Sequence, residues 1–180
     1  LMKGEIDVNM EEWTDNLSTY QTDLENGRFK ELGTNFGDNI QGFYVPAYVI
    51  EGDPERGIAP MAPELKTVQD LAQYADLFID EEDPSRGRIY GAIPGWEINE
   101  IMRKKVEYNG LDRSYNYFQP GSDAALSAAF TSAYEKGEPI VGYYWEPTWL
   151  TGKYDLILLE DLPYTTEEEY KAGKTACPSV

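Results

Sequence analysis

An α/β fold, built on a parallel-rich sheet flanked by helices, is predicted by three observations in the second half of the chain. From residue 88 onward, strand-length apolar runs alternate with helix-length amphipathic segments. The segments are punctuated: Gly110 follows one helical pattern, and Ser122 and Gly137 bracket the next as N-cap and stop. Strand, helix, strand, helix and strand over this length require right-handed crossovers between parallel strands.

Taken in order, residues 1–4 read as the tail of a helix, and residues 6–10 as a short strand that delivers Glu11, Glu12 and Trp13. Trp13, Leu17, Tyr20 and Leu24 recur at helical spacing, with Gly27 as a stop. Residues 41–52, QGFYVPAYVIEG, are aromatic and β-branched around Pro46. A proline cannot donate to a ladder, so this run predicts a strand that changes partners or crosses between lobes rather than a central strand. Residues 53–63 carry Pro54, Gly57, Pro60 and Pro63 and predict a surface loop. Residues 67–78 predict a helix with Val68, Leu71 and Ala75 on one face, and residues 80–87 a charged turn.

The alternating half begins with a strand at 89–93, closed by the tight turn Pro94-Gly95-Trp96. A helix over 97–109 follows, with Ile98, Ile101, Met102 and Val106 inward; then come a strand at 115–118 and a helix to Lys136. Residues 139–150, PIVGYYWEPTWL, form a strand ending in a loop that presents Trp145 and Trp149 around Glu146, Pro147 and Thr148. A strand at 155–160 and a last short helix through Tyr170, opened by a Thr165–Glu168 capping box, complete the series.

At 180 residues the chain is one domain or two small lobes. A net charge of −18 opposes binding to nucleic acid or an anionic membrane. The runs 81–83 and 167–169 read as solvated acidic faces. No apolar run is long enough to span a bilayer. The lone Cys177 excludes an internal disulfide, and the absence of histidine removes the usual general base and the commonest metal ligand. Neither a catalytic residue, a metal site nor a cofactor is expected, and the chain reads as a monomer.

All four tryptophans stand where a predicted strand gives way to a loop or helix. In a parallel sheet those ends share one edge, so indoles converge there into a box suited to a trimethylammonium group. The Pro94-Gly95-Trp96 turn leads straight into a helix, whose free N–H groups at Glu97 and Ile98 favour an anion. A zwitterion satisfies both.

The segments GEIDVNMEEW (4–13), GFYVPAYV (42–49), GAIPGWEIN (91–99), GYYWEPTW (142–149) and YDLILLEDLP (154–163) resemble, in order, the substrate-binding protein of glycine betaine and proline betaine ABC transporters. The resemblance implies a two-lobed, type II periplasmic-binding-protein fold. It implies an extracytoplasmic protein, held at the cell surface or free in the periplasm, that serves a membrane permease. It also implies an ammonium box of Trp13, Trp96 and Trp145, with the ligand carboxylate on the amides of Glu97 and Ile98. Thr148 stands where many relatives carry a carboxylate-holding histidine, and Trp149 lies beside it. On this resemblance residues 1–45 belong to lobe 1, 46–153 form lobe 2 and 154–180 return toward lobe 1, so that one lobe is incomplete.

Two alternatives accompany this expectation. Glu97 and Glu146 add negative charge near the site and leave choline, carnitine or another methylated amine open as ligand. A reading of a different class is a carbohydrate-binding module or a glycosidase, with tryptophans stacked on sugar rings and Glu97 and Glu146 as the carboxyl pair.

Overall fold

The computed structural model describes residues 3–10, 14, 19–34, 37 and 39–178. It falls into two compact units, Leu1–Asp38 with Val180, and Asn39–Ser179. Residues 39–45 and 154–179 therefore share a unit with 46–153.

In the smaller unit the helix α1 (Tyr20–Glu25) ends at Asn26, followed by Gly27 with φ 65°. The Tyr20 ring lies 5.3 Å from that of Phe29, and Arg28 pairs with Asp23 at 2.9 Å. The strand expected at 6–10 does not form: the backbone there is irregular, with bends, and Ile6, Val8 and Met10 are exposed. Apolar alternation specifies a strand only where a neighbouring strand supplies the hydrogen bonds.

The larger unit is built on a mixed sheet. Its strands are β1 (Ile40–Pro46), β2 (Ile79–Asp80), β3 (Asp83–Tyr90), β4 (Tyr115–Phe118), β5 (Gly142–Glu146) and β6 (Leu156–Leu158). Their order is β2-β3-β5-β1-β6, with β4 pairing β3. β3 runs parallel to β4 and β5, and the connections pass through α3 (Glu97–Tyr108) and α4 (Asp123–Lys136). The N-cap of α4 is Ser122, which accepts the Ala125 N–H, and Gly137 closes it in the left-handed conformation. Ile98, Ile101, Met102 and Val106 of α3 and Leu126 and Phe130 of α4 join Phe43, Tyr44, Ile89, Val141, Tyr143 and Tyr144 in one core.

Several expectations are corrected here. β1 is internal, paired antiparallel with β5 over residues 40–44 and with β6 over 44–46. Pro46 is tolerated as its last residue, and the run then turns into α2 (Ala47–Glu51). Residues 67–78 yield only a 3-10 helix, Gln69–Gln73. The Asp70 carboxylate takes the N–H groups of Thr67 at 2.8 Å and Lys66 at 3.2 Å, and an i, i+3 turn is enough to bury Val68 and Leu71. Residues 80–87 are the β2–β3 hairpin rather than a loose turn, because Asp80 is buried against Arg88 and Asn116. β3 stops at Tyr90, the ladder of β5 begins at Gly142, and the last helix, α6 (Glu167–Lys171), is capped by Thr166 instead of Thr165.

Candidate functional site

Two of the four tryptophans meet at the carboxyl ends of neighbouring parallel strands. Trp96 follows β3 and Trp145 lies near the end of β5; their ring centroids are 5.4 Å apart at 74°, edge to face. Both are half-buried against the core.

Trp96 is set by the link from β3 to α3. Gly91 lies flush on the Tyr117 ring, where a Cβ would come within 2.3 Å of Cζ. The Tyr117 hydroxyl accepts the Ala92 N–H at 3.2 Å and faces the Asn99 carbonyl at 3.2 Å and Oδ1 at 3.1 Å as donor. Burial pushes the Tyr117 phenol well above its ordinary range, which retains the proton that this contact needs. The turn closes with the Trp96 N–H on the Ile93 carbonyl at 3.1 Å, with Gly95 at φ 95°. Trp96 then serves as the extended N-cap of α3, without a side-chain cap. Glu97 and Ile98 are the first two residues of the helix, so their N–H groups precede any intrahelical acceptor. The Ile98 side chain is buried, whereas Glu97 is exposed and lies 3.6 Å from the ammonium of Lys171.

Trp145 is backed by its neighbours. The rings of Tyr144 and Tyr143 stack on it at centroid distances of 4.8 and 5.8 Å. Tyr143 donates to Oε1 of Gln41 at 2.7 Å, and Gln41, the cross-strand partner of Trp145, donates to Sγ of Cys177 at 3.1 Å. Glu146 pairs with Ile40, and the pleat turns it to the face of Tyr44 and Tyr144, opposite that of Gln41 and Tyr143. Burial first, and the Glu146 charge second, push the Tyr44 hydroxyl upward.

The other expected residues fall differently. The Thr148 hydroxyl is committed to capping α5 (Trp149–Lys153), where it accepts the Thr151 N–H at 3.2 Å while Oγ1 of Thr151 accepts the Thr148 N–H at 3.1 Å. Trp149 opens that helix and is 60% exposed. Trp13 lies outside the described residues. Tyr117, Tyr143, Gln41 and Lys171 were not singled out by the sequence, and all four act through contacts distant along the chain. Among the described residues no cluster of His, Cys, Asp or Glu is arranged to hold a metal ion. The chemistry on offer is recognition: aromatic faces for a cation, beside a helix start for an anion.

The family model for the substrate-binding domain of the ABC-type glycine betaine transport system, OpuAC, matches residues 1–172. The glycine betaine-binding periplasmic protein OusX of Dickeya dadantii (strain 3937) is 29% identical over 77 residues, 43% of this chain and 23% of its own length. Among solved structures, the glycine betaine/L-proline-binding protein ProX from Borrelia burgdorferi aligns at a TM-score of 0.60 with 24% identity, covering 98% of this chain and 56% of its own. Lactococcal OpuAC, closed around glycine betaine, aligns at 0.57 with 21% identity, covering 97% and 57%. A choline-binding protein of an ABC transporter, in complex with choline, aligns at 0.51 with 20% identity, covering 88% and 49%. The chain thus spans about half, or less, of the length of the relatives it matches. At these identities the solved structures establish the shared fold, that of the type II periplasmic binding proteins.

Proposed function

This chain belongs to the family of substrate-binding domains of ABC-type glycine betaine transport systems, and on that premise we propose that it holds a quaternary ammonium solute such as glycine betaine against Trp96 and Trp145. The ligand's carboxylate rests on the N–H groups of Glu97 and Ile98. The observation that carries this reading is the edge-to-face indole pair, one member of which is itself the N-cap of a twelve-residue helix. Cation and anion contacts are thereby offered side by side.

Magnitudes bound the proposal. Each cation–π contact is worth about 0.5 to 2 kcal/mol, and charge-assisted hydrogen bonds about 1.5 to 3 kcal/mol each. A micromolar complex requires about 8 kcal/mol. The two indoles and the two N–H groups of the helix start together approach that figure. The family is one of solute-binding components rather than enzymes, which removes the glycosidase alternative for Glu97 and Glu146. Delivery to the membrane permease of an ABC importer, outside the cytoplasm, completes the reading. The periplasmic relative supports this placement, and no helix among the described residues is long and apolar enough to cross a membrane.

Isothermal titration with glycine betaine, choline and an oligosaccharide tests it. Glycine betaine is expected to bind, and Trp96→Leu or Trp145→Leu to weaken it about tenfold, the loss of one cation–π contact. Tighter binding of choline would keep the indoles and dismiss the carboxylate site. Binding of the sugar alone would overturn the proposal.

A further inference from the structure

We infer that Lys171 sets the ligand class of this site by holding the Glu97 carboxylate against α6, so that the start of α3 stays open to the carboxylate of a zwitterion. The inference rests on the reading of Trp96, Trp145 and α3 above. Glu97 is the first residue of α3, the position where an acidic side chain interacts most favourably with its own helix terminus. Left alone, its carboxylate would act as the anion there, competing with a ligand carboxylate and repelling it. In a protein of net charge −18 the offset has to come from a cation placed at this point. Lys171 supplies it, with Nζ 3.6 Å from Oε1 of Glu97 and 2.7 Å from Oε1 of Glu167.

The placement of Lys171 follows from its backbone as well as its long side chain. Its carbonyl accepts the ammonium of Lys104 at 3.2 Å. Two residues on, Gly173 at φ 75° lies directly on α3, where a Cβ would fall 2.4 Å from the Lys105 nitrogen. The buried Lys105 ammonium then fastens the same segment, through the Thr175 carbonyl at 2.6 Å and the carboxylate of Asp161. The segment from 161 to 175 is thus clamped along α3, and Lys171 is delivered to the helix start. No position-by-position sequence signal marks it, because the pairing spans 74 residues between Glu97 and Lys171.

The test is the ratio of glycine betaine to choline affinity, measured by titration calorimetry. An exposed ion pair is a modest effect, so Lys171→Met is expected to lower that ratio about two- to fivefold. Adding Glu97→Gln to Lys171→Met should restore the ratio, since the charge that Lys171 offsets is then gone. A uniform loss of both ligands would mark a merely structural role and overturn the inference, as would an unchanged ratio in Lys171→Met. Failure of the unmodified protein to bind either compound would instead overturn the reading of the tryptophan site, which separates the two outcomes.

Discussion

Tyr117 shows how one hydroxyl fixes the tryptophan turn. It joins the Ala92 N–H to Asn99, across the link that carries Trp96 into α3. Tyr117→Phe should therefore cost about 1 kcal/mol, the net worth of a hydrogen bond, and leave the Ala92 N–H unpaired. Chemical denaturation would measure the loss, and ligand titration should show weaker binding beyond it. Gly91→Ala is expected to be worse, about 1 to 3 kcal/mol, because its Cβ would collide with the Tyr117 ring. A Gly91→Ala protein of unaltered stability would show that the ring moves aside freely. Trp96 and its turn were legible in the sequence because proline and glycine punctuate locally. Tyr117 was not, since its contact joins residues 25 apart, and the capping role of the Thr148 hydroxyl was hidden because a capping hydroxyl has no distinct mark in a sequence.

At the level of elements, legibility followed the strength of local signals. α3, β4 and α4 stand within a residue or two of the expected bounds, since each joins a clear apolar periodicity to a cap or stop. The 3-10 helix at 69–73 and the β2–β3 hairpin were hidden, because side chains brought together by the fold decide them. Asp80 illustrates the point. Burial opposes its ionisation, yet hydrogen bonds from Arg88 and Asn116 hold its carboxyl down to about 2. The folded pKa lies below the unfolded value of about 3.9, so the stabilisation is present above that value and lost as pH falls toward 2. It amounts to about 2 kcal/mol at neutral pH. Urea denaturation between pH 7 and pH 2 should show this decline, and Asp80→Asn should be less stable at pH 7 and lack that part of the acid slope. An Asp80→Asn protein with the unmodified pH profile would refute the assignment. Lys105 offers a second test, because its side chain is 4% exposed and its charge is paired with Asp161. Lys105→Met should cost about 3 to 5 kcal/mol in the same measurement, since it strands a buried carboxylate.

For the whole molecule, the alternation of strands and helices and the run of family-like segments gave the class of fold, while the mixed character of the sheet came from pairings that a sequence does not display. β1 is the clearest case: it lies between β5 and β6 and places Gln41 behind Trp145, although its proline argued for a strand that changes partners or crosses between lobes rather than a central one. The larger unit gathers these strands with α3 and α4 around one core, and the indole pair and the helix start lie at the same edge. The most direct test of that arrangement is a crystal structure of the protein with glycine betaine. The quaternary nitrogen is expected within about 6 Å of the ring centroids of both Trp96 and Trp145, and a carboxylate oxygen about 3 Å from the nitrogens of Glu97 and Ile98. Glycine betaine bound elsewhere, or seated between the indoles with its carboxylate turned away from the start of α3, would contradict it.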